Sequence, residues 1–470
     1  MINKKFNMAL IGKNYLSFLL SIELMEWNMK VIILDDKRVT YGQHYTDYLC
    51  QLEYSFLMLW GEDRQIEPFQ KLQHYIVKKP FSIIIGQHRV LLGNSPAQNL
   101  SELIRKFPNF FLYEELKEIN LFLCDEDKQA QFNDSYYAFC SRLAENSFRF
   151  RTSQNLSLGY TLSLCPENIK FIFSVFEKAF LNQDNFKEPD DTLNIKTFLY
   201  LTRGIFHRKL SIGATEFELF HLFLSLLSPH FQLDHKALMG DLLPIFTERG
   251  GAFKKTYIKD WLFEKKRPWS LELSSYEGII HPQKISLLGG RPESIPVKVD
   301  VKEKSFRSID LRFALNEKAD LKLGLEGQRV FYTRSQKIGG QNPFWEGRFQ
   351  KNGGVLKIYN RSYKGMKIDF IKNFIIAELE KDLSIICKRP ITNLLIESIH
   401  FGHDLCLEEK SFKSSGFKQD MPLLSKVEVY DCTAPGLDDL LKNVHYFGPL
   451  KRGSFGLFST LMEIKDGPSL

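Results

Sequence analysis

The stretch from Met8 to Leu34 constrains this chain most. Met8–Gly12 (MALIG) is a short apolar run ending in glycine, Tyr15–Trp27 carries Leu16, Leu19, Leu20 and Leu24 at helical spacing, and Val31–Leu34 is a second apolar run. Short apolar runs bounded by turn residues suit buried strands, whereas a 3.6-residue recurrence between them suits a helix. Strand, turn, helix and strand within about 30 residues make a βαβ unit, two parallel strands joined by a crossover helix. The chain is therefore expected to open as an α/β fold.

With 470 residues, the chain has length for roughly three domains of about 150 residues, or two large interleaved ones. Phe81–Leu92 alternates and carries a glycine near its middle, as a hairpin would. From Gln131 to about Asp241 the pattern is largely helical, with dense Phe and Leu in Phe171–Leu181 and Phe217–Leu227 that read as a helical core. After Pro244 strand signals return, at Ser270–Ser274, Gly278–Ile280 and Lys284–Leu288 and again at Ser308–Leu315, Val355–Tyr359 and Lys426–Tyr430. A strand, turn and helix at Val444–Ile464 close the chain.

Hydrophobic residues at 44% and charged residues at 25% describe a folded globular chain with ample apolar surface. The net charge of +7 is scattered, which gives no reason to expect a nucleic-acid partner. Lys265, Lys266 and Arg267 beside Pro268 and Trp269 form the densest basic-aromatic cluster; a solvated loop is the commoner reading, and peripheral membrane contact stays open. The seven cysteines, at 50, 124, 140, 165, 387, 406 and 432, form no CxxC pair, so neither a disulfide framework nor a zinc knuckle is suggested. Lys13, Glu23 and Glu26 interrupt what would otherwise look like a signal peptide, and a cytoplasmic protein is expected. The longest uncharged apolar stretch, Leu219–Leu233, falls short of the roughly 20 residues that span a bilayer.

The turn after the first run can be tested against the dinucleotide fingerprint G-x-G-x-x-G. There the first glycine makes the tight turn, the second admits the pyrophosphate and the third lets helix and strand pack closely. The corresponding residues here are Gly12, Asn14 and Ser17. Ser17 is small enough for close packing, but Asn14 puts a side chain where phosphates would approach the backbone. Asp35 follows Ser17 by 18 residues, at the end of the second strand, where an acid would accept hydrogen bonds from ribose hydroxyls. Asp36 is an adjacent substitute, and a simple turn former is the bland alternative for either.

Ile11–Gln43 resembles the opening of the flavin amine oxidase and phytoene desaturase superfamily, in which the acid is followed by a basic residue and a glycine pair; Arg38 and Tyr41-Gly42 stand in those places. Pro244–Phe253 resembles the family's P-x-GG segment, which introduces a helix returning to the nucleotide domain, and Trp269–Leu288 resembles the strands that follow. Asn443–Gly456 is similar to the closing flavin motif: Gly448, Gly453 and Gly456 fit, with Ser454 between the last two, while Pro449 replaces the acid. A glycine-rich helix start also presents free amides and a positive dipole end to an electron-rich ligand.

The resemblance implies an FAD/NAD(P)-binding Rossmann-type domain, built from residues 1–80, 235–300 and 430–470. It is interleaved with a mixed α+β substrate- or partner-binding domain of residues 81–234 and 301–429. It implies FAD across the Gly12 turn, with Asn14 and Ser17 lining that turn, Asp35 on the adenosine ribose, Arg38 beside it and Gly42 on the phosphate side. Gly448, Gly453, Ser454 and Gly456 would make the distal contacts. The activity implied is hydride transfer from a hydrophobic small molecule to the flavin. Asn14, Tyr41 and Pro449 favour an alternative, a flavin-free carrier or protein-binding relative such as the Rab GDP-dissociation inhibitors. An NAD(P)-binding protein with an unrelated second domain is a third reading.

Elsewhere, His400-Phe401-Gly402-His403-Asp404 has metal-ligand residue types, but its glycine points to a turn and hydrogen-bonded histidines are the commoner outcome. His230 and His235 flank a turn signal and would not share a helix face. No G-x-S-x-G elbow and no G-x-x-x-x-G-K-[ST] loop occurs, and no substrate base stands out.

Overall fold

The computed structural model describes residues 4–36, 39–41, 48–108, 111–149, 158–181, 198, 202, 216–264, 267–274, 278–288, 290–292, 308–314, 329–333, 344–350, 353–359, 368–387, 390–392, 394–402, 406–408, 428–430, 443–447 and 457–466. At its centre the opening strand, Lys4–Ile11, pairs in parallel with Val31–Asp35 on one side and Ile279–Leu288 on the other. Ala252–Lys255 extends the parallel ladder beyond Val31–Asp35, and the closing strand Val444–Phe447 extends it beyond Ile279–Leu288. The registers align the strand ends: Ile11 lies opposite Leu34 and Leu287, Asp35 opposite Lys255, and Leu288 opposite Phe447. Five strands thus finish at one edge, the arrangement of a Rossmann-type fold.

Both faces of this sheet are covered, which accounts for its uninterrupted apolar runs. Met8, Leu10, Val31 and Ile33 face the opening helix Tyr15–Glu26, while Ala9, Ile11, Ile32 and Leu34 pack with Trp261, Leu271 and Leu273. These last residues belong to an antiparallel meander, Ile258–Glu264 with Arg267–Leu273. The strand Ile279–Leu288 is continuous where the sequence suggests two, and its one edge serves two partners. Ile279 and Ile280 pair with the meander, and Ile285 to Leu288 pair with the closing strand.

The opening helix is buried on every side from Tyr15 to Leu24, as an all-round apolar helix must be. It packs against the closing helix Leu457–Asp466 and the helix His235–Glu248. Its one buried charge, Glu23, is 2% exposed. The carboxylate accepts from Trp60 Nε1 at 2.5 Å and from Arg64 Nε and Nη2 at 3.0 and 2.8 Å, clamping the helix Gln51–Arg64 onto the opening helix.

The glycine pair departs from expectation. Pro244 lies inside His235–Glu248, so Gly250-Gly251 ends a helix and leads into the strand Ala252–Lys255, instead of introducing a helix. Gly250 has φ +90°, and a Cβ on Gly251 would stand 2.1 Å from the Phe246 ring. The residues from Pro244 to Glu248 are helix, and the pair supplies a left-handed exit and a close approach.

A second, seven-stranded sheet runs Leu395–Gly402, Ser308–Ala314, Gly353–Tyr359, Phe344–Gln350, Arg329–Thr333, Phe81–Ile85, His88–Leu92. Phe81–Ile85 and His88–Leu92 form the expected hairpin, with Gly86 at φ 58°. One face, through Leu311, Val330, Tyr332 and Trp345, packs on Ile375, Leu379 and Leu383 of the helix Ile368–Cys387. The other, through Phe81, Ile83, Ile85 and Phe331, joins the core of the helical region and the opening helix. Helix begins well before Gln131, at Gln51, and His230–Leu233 interrupts it as the middle strand of a small sheet between Tyr48–Cys50 and Ile76–Lys78. His400 and Gly402 lie on a strand, not a turn, while His403 and Asp404 lie outside the described residues; among the described residues no cluster could hold a metal ion. No described helix is long and apolar enough to cross a membrane.

Glu23→Ala should lower unfolding free energy by about 3 kcal/mol, because it strands the Trp60 N–H and a half-buried guanidinium. Denaturant unfolding measures this, and a loss under about 0.5 kcal/mol, the range of an ordinary surface change, would contradict the clamp.

Candidate functional site

The opening turn sits where the central strands end. Gly12 has φ 124°, open to glycine and strained for other residues, and its N–H donates to the Leu34 carbonyl at 3.0 Å. Asn14 follows in extended conformation and caps the opening helix: its Oδ1 accepts from the Ser17 N–H at 2.9 Å. Its Nδ2 donates to the Leu288 carbonyl at 3.0 Å, across to the end of the neighbouring strand. Ser17 Oγ donates back to the Gly12 carbonyl at 2.5 Å. Asn14 is 9% exposed and Ser17 fully buried. The carboxamide therefore does more than crowd the fingerprint, because it satisfies a helix amide and ties the turn to the strand beside it.

The two acids after the second strand separate into different roles. Asp36 is fully buried and its Oδ2 accepts from the Ile258 N–H at 2.8 Å, so it holds the meander and is no substitute for its neighbour. Asp35 is half-buried at the strand end; its backbone carbonyl accepts from Thr256 N–H at 3.3 Å, while its carboxylate has no hydrogen-bond or ion-pair partner among the described residues. Asp36, one residue past the strand, is committed to the meander, which leaves Asp35 at the strand end.

The chain's far end comes to the same edge. The Ile285 N–H donates to the Asn443 carbonyl at 2.8 Å and Asn443 Nδ2 donates to the Gln283 carbonyl at 3.1 Å, fixing the start of the closing strand. That strand finishes at Phe447, opposite Leu288, whose carbonyl Asn14 holds. Just past the edge, Val39–Tyr41 pairs antiparallel with Gly290–Pro292. Gly12, Asn14, Ser17 and Asp35 thus stand at one edge, whereas Arg38, Gly42, Gly448, Gly453, Ser454 and Gly456 lie outside the described residues.

A second polar group escaped the sequence. Tyr48 and Cys50 share one side of their strand, and Cys50 Sγ lies 3.4 Å from His230 Nε2 on the paired strand. The Arg329 guanidinium stacks 4.0 Å from the Tyr48 ring centroid and binds Glu346 at 2.6 Å in a buried ion pair. Arg348, opposite Arg329 in register, lies 5.3 Å from the same ring. Strands so far apart in sequence carry no local sign that they will meet.

Burial pushes the imidazoles of His230 and of His221, which stacks on Phe458, down to about 3, and pushes the Cys50 thiol up. A histidine kept neutral when folded gives stability that is complete above about 6.5, its unfolded value, and is lost as pH falls toward 3. The slope is about 1.4 kcal/mol per pH unit for each. Burial of Glu53 raises its carboxyl to about 7 and acts in the opposite sense, so a difference measurement is needed. Between pH 6 and 4, roughly the middle of that window, His221→Phe should lose stability less steeply than wild type in denaturant titrations. Parallel slopes would contradict a neutral His221.

No family model matches the chain, and no curated protein matches it. Solved structures similar to it include an oxidoreductase from Methanosarcina mazei, at 12% identity over 98% of this chain and 99% of that one, with a TM-score of 0.42. A Rab GDI from Plasmodium falciparum aligns at 10% identity over 85% and 89%, with a TM-score of 0.41. A geranylgeranyl bacteriochlorophyll reductase-like protein from Thermoplasma acidophilum aligns at 8% identity over 98% and 76%, with a TM-score of 0.40.

Proposed function

We propose that this chain is an FAD-dependent oxidoreductase-like protein that takes hydride from a hydrophobic small molecule, in the manner of the phytoene desaturase and amine oxidase superfamily its sequence resembles. The observation that carries this reading is convergence. The opening turn, the end of the second strand and the closing strand, drawn from both ends of 470 residues, finish at one edge of a parallel sheet. Ligands of open α/β sheets bind beyond the carboxyl ends of the strands.

The adenosine end suits the cofactor: Gly12 makes the tight turn, and the Asp35 carboxylate, which has no partner among the described residues, can accept from ribose hydroxyls. Ser17 lets the helix approach, and Arg38, Gly42, Gly448, Gly453, Ser454 and Gly456 are assigned to the rest of the cofactor. A bound flavin supplies the hydride acceptor, and the protein supplies orientation and a shielded apolar site. Residues 1–80, 235–300 and 430–470 form the cofactor domain in this proposal, and residues 81–234 and 301–429 the substrate domain. A cytoplasmic location fits a sequence with an odd number of cysteines and no CxxC pair.

Asn14 favours the second reading, a flavin-free carrier or protein-binding relative, because its carboxamide occupies the position where the fingerprint leaves room for phosphate. The absorption spectrum of the purified protein, with release of any bound cofactor, separates the two. Near-stoichiometric flavin supports the first, and its absence after incubation with FAD supports the second. In the first case Asp35→Ala should weaken FAD by about 1 kcal/mol or more through lost charge-assisted hydrogen bonds. Unchanged affinity would remove Asp35 from the site.

A further inference from the structure

We propose that Asn14 is an internal stand-in for a ligand phosphate, a latch whose release sets how tightly the crevice holds a dinucleotide. This rests on the dinucleotide reading. A helix start has amides without intrahelical partners and a positive dipole end, and a phosphate is the ordinary ligand for them in this fold. Here Oδ1 of Asn14 takes the Ser17 amide, and Nδ2 reaches the Leu288 carbonyl from the same carboxamide. Both bonds are buried, and they span the gap between the ends of two adjacent parallel strands. Asp35 stands at the end of the strand on the other side of the opening strand, and its carboxylate has no partner among the described residues. The ribose position is thus open while the phosphate position is filled by the chain itself.

A phosphate approaching the helix start must displace Oδ1 from the Ser17 amide, and turning the carboxamide away also breaks its bond to Leu288. Ligand binding is therefore opposed by the carboxamide's bonds to the Ser17 amide and the Leu288 carbonyl, with the Ser17 hydroxyl 3.1 Å from the same Oδ1. The latch trades the stability of the empty protein against affinity for the ligand. An ordinary structural cap would not oppose the ligand: removing it would lower stability and either leave affinity unchanged or reduce it.

The test compares wild type with Asn14→Gly and Asn14→Asp, measuring the thermal midpoint of ligand-free protein and FAD and ADP affinity by calorimetric titration. Glycine is nearly as good a helix cap as asparagine, so Asn14→Gly should fold. Its ligand-free midpoint should fall by a few degrees, while FAD and ADP bind about tenfold tighter, the effect of removing one competing neutral hydrogen bond. Asn14→Asp keeps a cap for the Ser17 amide and adds negative charge facing the phosphate, so it should bind FAD more weakly than wild type. Binding by Asn14→Gly where wild type shows none would equally support the latch. If wild type binds and Asn14→Gly binds no better, the latch is wrong and the dinucleotide reading stands. If neither protein binds FAD or ADP, the dinucleotide reading fails and the latch with it.

Discussion

The parallel ladder around Lys4–Ile11 is the constraint on which everything else depends. A strand flanked in parallel on both sides must be connected to each neighbour by a crossover, and its side chains must be covered above and below. The opening helix makes the crossover to Val31–Asp35, the chain up to Ile279 makes the other, and the opening helix and the meander cover the two faces. Because Ile279–Leu288 offers its free edge first to the meander and then to Val444–Phe447, the chain cannot finish this sheet until its last residues have been made. Most of the intervening chain is accommodated as a second sheet and a helical layer. The helical layer shares one core with the opening helix, and the Glu23 clamp ties its first long helix to that core.

That architecture concentrates chemistry at a single edge. Strand ends leave backbone groups unpaired, a helix start adds a dipole, and strands from distant parts of the chain finish side by side. In this chain some of those groups have been claimed internally. Asn14 satisfies the helix start and Asp36 the meander, which leaves Asp35 as the acid whose carboxylate has no partner among the described residues. The eroded fingerprint is thus more than a loss of glycines, because the residue that replaced the second one has bonds of its own.

Much of this was legible in the sequence where the signal is local. The opening βαβ unit was readable because its strands are buried on both faces and so appear as unbroken apolar runs. The Phe81–Leu92 hairpin was readable from alternation around Gly86, and the Phe-rich helices from their spacing. The sequence split Ile279–Leu288 because Pro282 and Gln283 interrupt its apolar pattern, although its carboxyl half continues straight into the ladder. The family resemblance made Pro244–Phe253 a segment that introduces a helix, yet here Pro244 is carried inside one. What stayed hidden is non-local. The bond from Asn14 to Leu288, the division of labour between Asp35 and Asp36, and the meeting of Cys50 with His230 depend on which strands pair, and no window of sequence encodes that.

Hydrogen exchange across the whole chain with and without added FAD tests the central claim directly, that both ends of the polypeptide serve one dinucleotide crevice. The account predicts slower exchange together in the Gly12–Ser17 turn, around Asp35 and in residues 448–456. Protection at one of these segments without the others, or at none while FAD is bound, would contradict it.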